Sequence, residues 1–591
     1  MLNLFGLKNA KGIISMINAN KETLNSFFIS NLQYVVPFFQ RSYIWEEENW
    51  DTLWEHISNI AVNSDNQSKY EHFIGTLITK QRLSESIGEQ KLDLIDGQQR
   101  LTTFALLLKA IANKATGAGE YPKLKDKVNE LVVFDNAKGD KFIRIEHSKN
   151  DKDYFEAIMF DNDLSTLKNQ DHKILTCFRY FLKKLDGFSD EQLDLLKTII
   201  LKNVPAISML LSANDDEQEI FDTINSLGVK LTTGELLKNY IFKEKELQGY
   251  YETHWYQVFE DDEEQIAFWT KSKTSGRISR TNIEVLLYCY LIIETQRVVE
   301  LEKLFKEYKK WLQGKTTENK TTFLKELKVY TEIYYNFPEG TELNEISYSQ
   351  DEKRFFHIIE KLEITTAYPL ILYIYKQVKA KDTRMQLLKI IESYLVRRNV
   401  CRLTTKNYNN LFIQIISKLI DAKEITADSL LTILTDFTED TSRFPSDLEF
   451  ETAFADEAIS NANAREILYC ISLYNICEPK NDINKLSSST YSVEHMMPQK
   501  WETNWTKPSM DEPAKLLRNN KLKTLGNLTL VTKSLNSSMK NAAWDIKKRE
   551  LKKYSTLKIT TDYIDNKKWE ETDIDTRAKD LATIALKIWN R

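Results

Sequence analysis

The chain has 591 residues, with 81 Lys and Arg against 86 Asp and Glu, and its formal net charge of −5 identifies no partner. With only 16 Gly, 10 Pro and 42% hydrophobic residues, it excludes collagenous, Pro/Gly-rich disordered and turn-rich all-β chains. Helix should dominate, and the length allows roughly three or four domains.

Five cysteines (Cys177, Cys289, Cys401, Cys470, Cys477) form no CxxC pair, which argues against a disulfide framework and a cysteine-ligated zinc site. No apolar run approaches the ~18–20 residues of a bilayer span. Lys8 and Lys11 interrupt the N-terminal apolar stretch, so no signal peptide is read and the expected compartment is the cytoplasm.

To about residue 245 the chain mixes strand-like and helix-like segments. Residues 34–36 predict a strand ended by Pro37, and Trp50, Leu53, Trp54 and Ile57 predict a helix over 49–61. Residues 72–79 and 91–95 read as strands, the second running into Asp96-Gly97. A strongly apolar helix follows over 101–111. A strand, a glycine turn and a helix in that order form an α/β unit.

The junction Asp96-Gly97-Gln98-Gln99-Arg100-Leu101-Thr102-Thr103 has chemistry of its own. Gly97 permits the turn and close approach of a ligand. The free N–H groups of the first helical turn favour an anion. Arg100 adds a positive fork, Gln98 and Gln99 add donors, and Thr102 adds a hydroxyl. Asp96 is available to a cation or an attacking water. These groups suit a phosphate-bearing ligand, although the same pattern also serves as a plain turn, and the Walker A spacing is absent.

Two further groups accompany it. In Pro37-Phe38-Phe39-Gln40-Arg41-Ser42-Tyr43-Ile44-Trp45, the polar pair Gln40 and Arg41 interrupts an aromatic run and needs partners. Residues 221–235 read as helix, Gly228 stop and capped restart, with Thr232 and Glu235 as a capping box ahead of Lys238 and Asn239. Alone, this last group is structural.

Together the three groups resemble the N-terminal domain of GmrSD-type modification-dependent (type IV) restriction endonucleases. There, QR-x-Y-x-W, DGQQR-[LT]-T and F-x-x-x-N-x-x-G segments occur in this order. The resemblance covers about 20–245 and implies a ParB-like α/β domain, 1–245, that binds and hydrolyses a nucleoside triphosphate. It places Gln40, Arg41, Asp96, Gly97, Gln98, Gln99, Arg100 and Thr102 at the nucleotide, with Asn225 and Lys238 as weaker candidates.

From 246 to 480 the pattern is helical, with apolar spacing over 283–295, 355–362, 370–378, 385–396 and 411–420 and no repeat period. This helical middle is expected to couple the two ends and to carry a modification-sensing surface or a homo-oligomer contact.

The C-terminal part differs. Between Lys515 and Lys558 stand twelve Lys or Arg and only two acids, Asp545 and Glu550. Such a segment is either a solvated helix face or a phosphate-backbone contact. Ahead of and within it, Tyr491-Ser492-Val493-Glu494-His495-Met496-Met497-Pro498 predicts a strand. Residues 525–531 predict a second strand entered through Gly526, and a basic helix follows over 542–551. Phosphodiester hydrolysis needs a base, a cation and a positioned strand. His495 beside Glu494, with Asn536 returned from a following helix, can meet the first two needs. The carboxylate and amide oxygens suit Mg²⁺ or Mn²⁺. Lys540, Lys547, Lys548 and Arg549 can hold the strand.

The order E-H-x-x-P, L-G-N-L-T-L, L-N-S resembles the HNH (ββα-metal) nuclease domain of the same family, and a domain at 481–591 follows. The resemblance makes His495 the general base, Asn527 the loop brace, and Glu494 and Asn536 the metal ligands; Lys548, among the cations that hold the strand, is counted with the catalytic group on its own position. Glu replaces the Asp of many such sites. Asn541 rivals Asn536, and the zinc-knuckle cysteines of some relatives are absent.

The expected protein is therefore α/β plus mostly α: a nucleotide-regulated, metal-dependent DNA endonuclease of prokaryotic anti-phage defence. By family analogy its target is modified phage DNA, carrying glucosylated hydroxymethylcytosine or phosphorothioate. The alternatives are a nucleotide-switched DNA-binding protein that does not cut, and an RNA-cutting HNH toxin.

Overall fold

Scarce glycine and proline leave long helices uninterrupted, and the computed structural model is a helix-dominated mixed α/β protein. It describes residues 6–8, 14–16, 19–30, 32–38, 40–62, 71–82, 90–135, 139–212, 232–275, 278–339, 345–477, 482–505 and 510–591. These fall into two units, Met1–Lys243 and Glu244–Arg591.

The first unit is built on a six-stranded mixed sheet, in the order Ala19–Thr23, Pro205–Leu211, Thr76–Gln81, Gln90–Asp96, Leu32–Val35, Ile145–Glu146. The apolar helix foreseen over 101–111 extends over Gln98–Lys114 and is buried through Ala112 except at Arg100. It forms the centre of the unit's core, packed by the helices Leu124–Val132 and Lys173–Lys184. Gly97 starts it with φ +99, and a Cβ there would lie 2.1 Å from the Leu77 side chain, so the joint requires glycine.

The strand predicted over 72–79 begins only at Thr76. Its lead-in is irregular: His72 and Ile74 donate to the carbonyls of Asn203 and Pro205, and Gly75 turns the chain at φ +87. Beyond it, the register between Thr76–Gln81 and Gln90–Asp96 slips so that Ile95 is unpaired, a bulge one residue before Asp96. Residues 221–231, including Asn225, lie outside the described residues. The capped restart behind them is a helix, Thr233–Phe242, with the Thr232–Glu235 box formed.

In the second unit all five predicted middle helices are present: Asn282–Thr295, Asp351–Lys361, Tyr368–Gln377, Lys381–Val400 and Tyr408–Asp421. The C-terminal part contains an antiparallel hairpin, Tyr491–His495 with Leu528–Thr532, followed by helices Lys533–Met539 and Trp544–Tyr554. The second strand starts later than its sequence predicts, because the Leu525 and Gly526 carbonyls bond to Arg577 of helix Glu571–Ile588 instead of to a neighbouring strand. That helix passes so close that a Cβ on Gly526 would lie 2.3 Å from the Ile574 carbonyl. Among the described residues no helix is long and apolar enough to cross a membrane.

Candidate active sites

In the first unit the bulge and the helix start bring two of the sequence motifs together. Gln40 donates to the Leu94 and Ile95 carbonyls at 2.8 and 3.2 Å, taking up backbone acceptors at the bulge. Gln99 accepts from the Ile44 N–H at 2.8 Å and donates to the Ser42 carbonyl at 3.1 Å. Asp151, fully buried, accepts from the Tyr43 N–H at 2.8 Å, and the Tyr43 hydroxyl meets Thr103 at 2.6 Å. The segment over 40–45 is thus fastened to the start of the central helix by side chains rather than by a ladder.

Other groups at the joint retain unused hydrogen-bonding capacity. Gln98 is buried, yet its Nε2 has no hydrogen-bond partner among the described residues. Arg41 is half-buried and makes no ion pair or hydrogen bond among them. Gly97 caps no N–H of the helix with a side chain. Arg100 grips Asp96 at 2.9 Å and the Ile74 carbonyl at 2.6 Å, passing where a Cβ on Gly75 would sit. Two expectations are corrected in part. Thr102 is fully buried and faces His147 Nε2 at 3.2 Å, so its hydroxyl is turned behind the joint. Lys238 is likewise buried.

In the C-terminal part Asn527 is fully buried and uses its whole amide. Its Oδ1 accepts from the Met497 N–H at 2.8 Å and Trp569 Nε1 at 3.1 Å. Its Nδ2 donates to the Met497 and Leu522 carbonyls at 2.9 and 3.0 Å. Its backbone carbonyl holds the Met496 N–H at 3.0 Å. The two residues after His495 are therefore fixed from the second strand.

His495 ends the first strand half-buried, with Gln499 Nε2 2.9 Å from its Nε2. Burial, together with the charges of Lys547 and Lys523, pushes its pKa down to about 4, so the imidazole is neutral at ordinary pH. Glu494, consecutive in the strand, leaves on the opposite face. It is buried, and its carboxylate bonds to Lys547. Burial raises the Glu494 pKa against the lowering pull of Lys547, and burial lowers the Lys547 pKa.

Asn536 donates to Ser492 Oγ at 3.0 Å and the Val493 carbonyl at 2.8 Å, which places it on the Glu494 side of the strand. Its Oδ1 accepts nothing among the described residues. Asn541 is exposed, with its carbonyl taken by Asn504, so of the two amides Asn536 is the one resting on the His495 strand.

The basic segment divides. Arg518, Lys521 and Lys547 turn inward to Glu571, to Asp456 and Asp575, and to Glu494. Lys523, Lys533, Lys540, Arg549, Lys552, Lys553 and Lys558 stay exposed. Lys548, expected in the catalytic group, instead donates to the Asp565 and Asn566 carbonyls at 3.2 and 3.1 Å. Its neighbour Lys547 is the one that reaches the His495 strand. Sequence spacing could not separate the two, because only the packed helix decides which lysine faces inward.

A neutral imidazole at a braced strand end beside exposed cations is chemistry that a nuclease can use. A family model described as GmrSD restriction endonuclease, N-terminal domain, matches residues 21–242, and one described as GmrSD restriction endonucleases, C-terminal domain, matches residues 444–584. The chain belongs to the GmrSD restriction endonucleases, nucleases of phage defence. Comparison with curated proteins found no match.

Proposed function

We propose that the chain is a nucleotide-responsive endonuclease that cuts DNA at an HNH-type hairpin, under control of a ParB-like nucleotidase in its first unit. The observation that carries this reading is the His495 imidazole, neutral and partly open at a strand end whose next two residues Asn527 holds, Met496 through its carbonyl and Met497 through its amide. An amide nitrogen only donates, so the contact from Gln499 makes Nε2 the unprotonated ring nitrogen, with a lone pair that Gln499 holds until a water takes its place. That nitrogen takes the proton of the attacking water.

Asn536 Oδ1 is a hard oxygen donor that accepts nothing among the described residues, the kind Mg²⁺ or Mn²⁺ takes with waters and a substrate phosphate, whereas the Glu494 carboxylate, expected beside it as a ligand, is instead held by Lys547. Among the described residues no group of three or more His, Cys, Asp or Glu could hold an ion, so such a cation would lean on the DNA phosphate to complete its shell. Bound there, it would offset charge on that phosphate. The exposed cations Lys523, Lys533, Lys540 and Arg549 would hold the DNA backbone.

In the first unit, Gln98 Nε2 and Arg41, which have no partner among the described residues, and the uncapped helix start fit the anionic end of a nucleoside triphosphate. The preference for modified phage DNA, by glucosylated hydroxymethylcytosine or phosphorothioate, is taken from the family. The test incubates purified protein and Mg²⁺ or Mn²⁺ with modified DNA, unmodified DNA and RNA, with and without each triphosphate. Cleavage of modified DNA that depends on His495 supports the reading. Cleavage of RNA alone, or DNA binding without cleavage, refutes it.

A further inference from the structure

Helix Trp544–Tyr554 displays most of its basic side chains to solvent, but Lys547 is 1% exposed and points into the protein. Its ammonium bonds to the Glu494 carboxylate and, at 2.6 Å, to the His495 carbonyl. A buried ammonium is costly unless its donors are used, and here they converge on the last two residues of one strand. Consecutive residues of a strand face opposite sides, so gripping the side chain of one and the carbonyl of the next fixes the strand's twist at its end. The direction of the His495 imidazole depends on that twist. From the other side, Asn527 holds Met496 and Met497, the two residues that follow. His495 is thus clamped on both flanks, by a cation before it and an amide after it.

We propose that Lys547 is a positioning residue of the nuclease centre, aiming His495 by tying helix Trp544–Tyr554 to Glu494 and to the His495 carbonyl. This rests on the reading of His495 as general base. A lysine buried in this way cannot touch DNA, which separates it from the exposed cations of the same helix.

The test uses the full-length protein and reads the single-turnover cleavage rate and, separately, the DNA dissociation constant by fluorescence anisotropy without metal. Lys547→Met should slow cleavage at least ~100-fold while the dissociation constant stays within about twofold, a loss confined to the transition state. Lys547→Arg keeps the charge and should recover part of the rate. A Lys547→Met variant with weakened binding and an unchanged rate would make Lys547 a phosphate contact and overturn the proposal, as would wild-type values for both.

If Lys547→Met does not fold, the neutral pair Glu494→Gln/Lys547→Met removes the stranded charge. Its rate should match that of Glu494→Gln alone within about threefold, because the two residues act as one unit. Independent, multiplying losses would refute this. Wild-type protein showing no His495-dependent cleavage would end the base assignment and this proposal with it, whereas His495-dependent cleavage undiminished in Lys547→Met would end this proposal alone.

Discussion

Asn527→Ala tests the brace directly. The side chain is fully buried and makes four hydrogen bonds, to Met497 N–H, Met497 carbonyl, Leu522 carbonyl and Trp569 Nε1. Alanine leaves four buried polar groups without partners, each costing about 1–3 kcal/mol when nothing replaces the bond. A water entering the vacated space would restore some of them, which brings the expected loss to about 3–6 kcal/mol. Against a native stability of about 5–15 kcal/mol this is severe. The assay is urea unfolding of the full chain followed by tryptophan fluorescence, since Trp501, Trp544 and Trp569 lie in the surrounding cluster. Asn527→Asp keeps the volume but turns an oxygen toward the Met497 and Leu522 carbonyls, so it should be no milder than alanine. A loss under about 1 kcal/mol for alanine, or an aspartate variant as stable as wild type, would refute the accounting.

Other expectations are simpler. His495→Ala should abolish cleavage while nucleotide hydrolysis persists, and cleavage at the wild-type rate would remove the base assignment. Arg100→Ala should weaken triphosphate binding at least ~10-fold by titration, about the worth of one charge-assisted hydrogen bond. Unchanged affinity would take Arg100 out of the site. A base works unprotonated and burial holds the His495 pKa near 4, so kcat/KM should stay flat as pH falls through 6.5 and drop only toward about 4. A midpoint at 6.5 or above contradicts the geometry. Over the same interval the unfolded histidine takes a proton that the folded one refuses, so stability should fall with acidification. DNA affinity should drop steeply with added salt if the exposed cations of 515–558 contact phosphates, and a flat response would assign them to solvent.

Much of this was legible in the sequence. The apolar period placed the five middle helices, and the strand–glycine–helix order located the Gly97 joint. The strand limits were less legible, because they are set by partners remote in sequence. Arg577 withdraws Leu525 and Gly526 from the second hairpin strand, and Asn203 and Pro205 hold the irregular lead-in at 72–75. Thr102 and Lys548 misled for one reason: sequence shows that a polar side chain is present but not which way a packed helix turns it. His147 and Asp151, which support the first joint from behind, carried no local signal at all.

Both candidate sites follow one constructional rule. At each, polar residues that break an apolar pattern divide into those whose hydrogen-bonding capacity is consumed by the fold and those whose capacity is not. Gln40, Gln99 and Asn527 are consumed, holding loops against backbone carbonyls and N–H groups. Among the described residues the Nε2 of Gln98, the guanidinium of Arg41 and the Oδ1 of Asn536 are not, although two of the three residues sit on elements the first set holds in place. A protein does not leave a buried donor such as Gln98 Nε2 unpaired without cost, so an anion meeting it gains what the fold has left unmet. Replacing Gln98 by the near-isosteric Met should therefore leave the melting temperature unchanged or raised while weakening triphosphate binding, whereas Gln99→Met should lower both. Equal losses of stability from the two substitutions would show that Gln98 is one more brace and would move the ligand elsewhere.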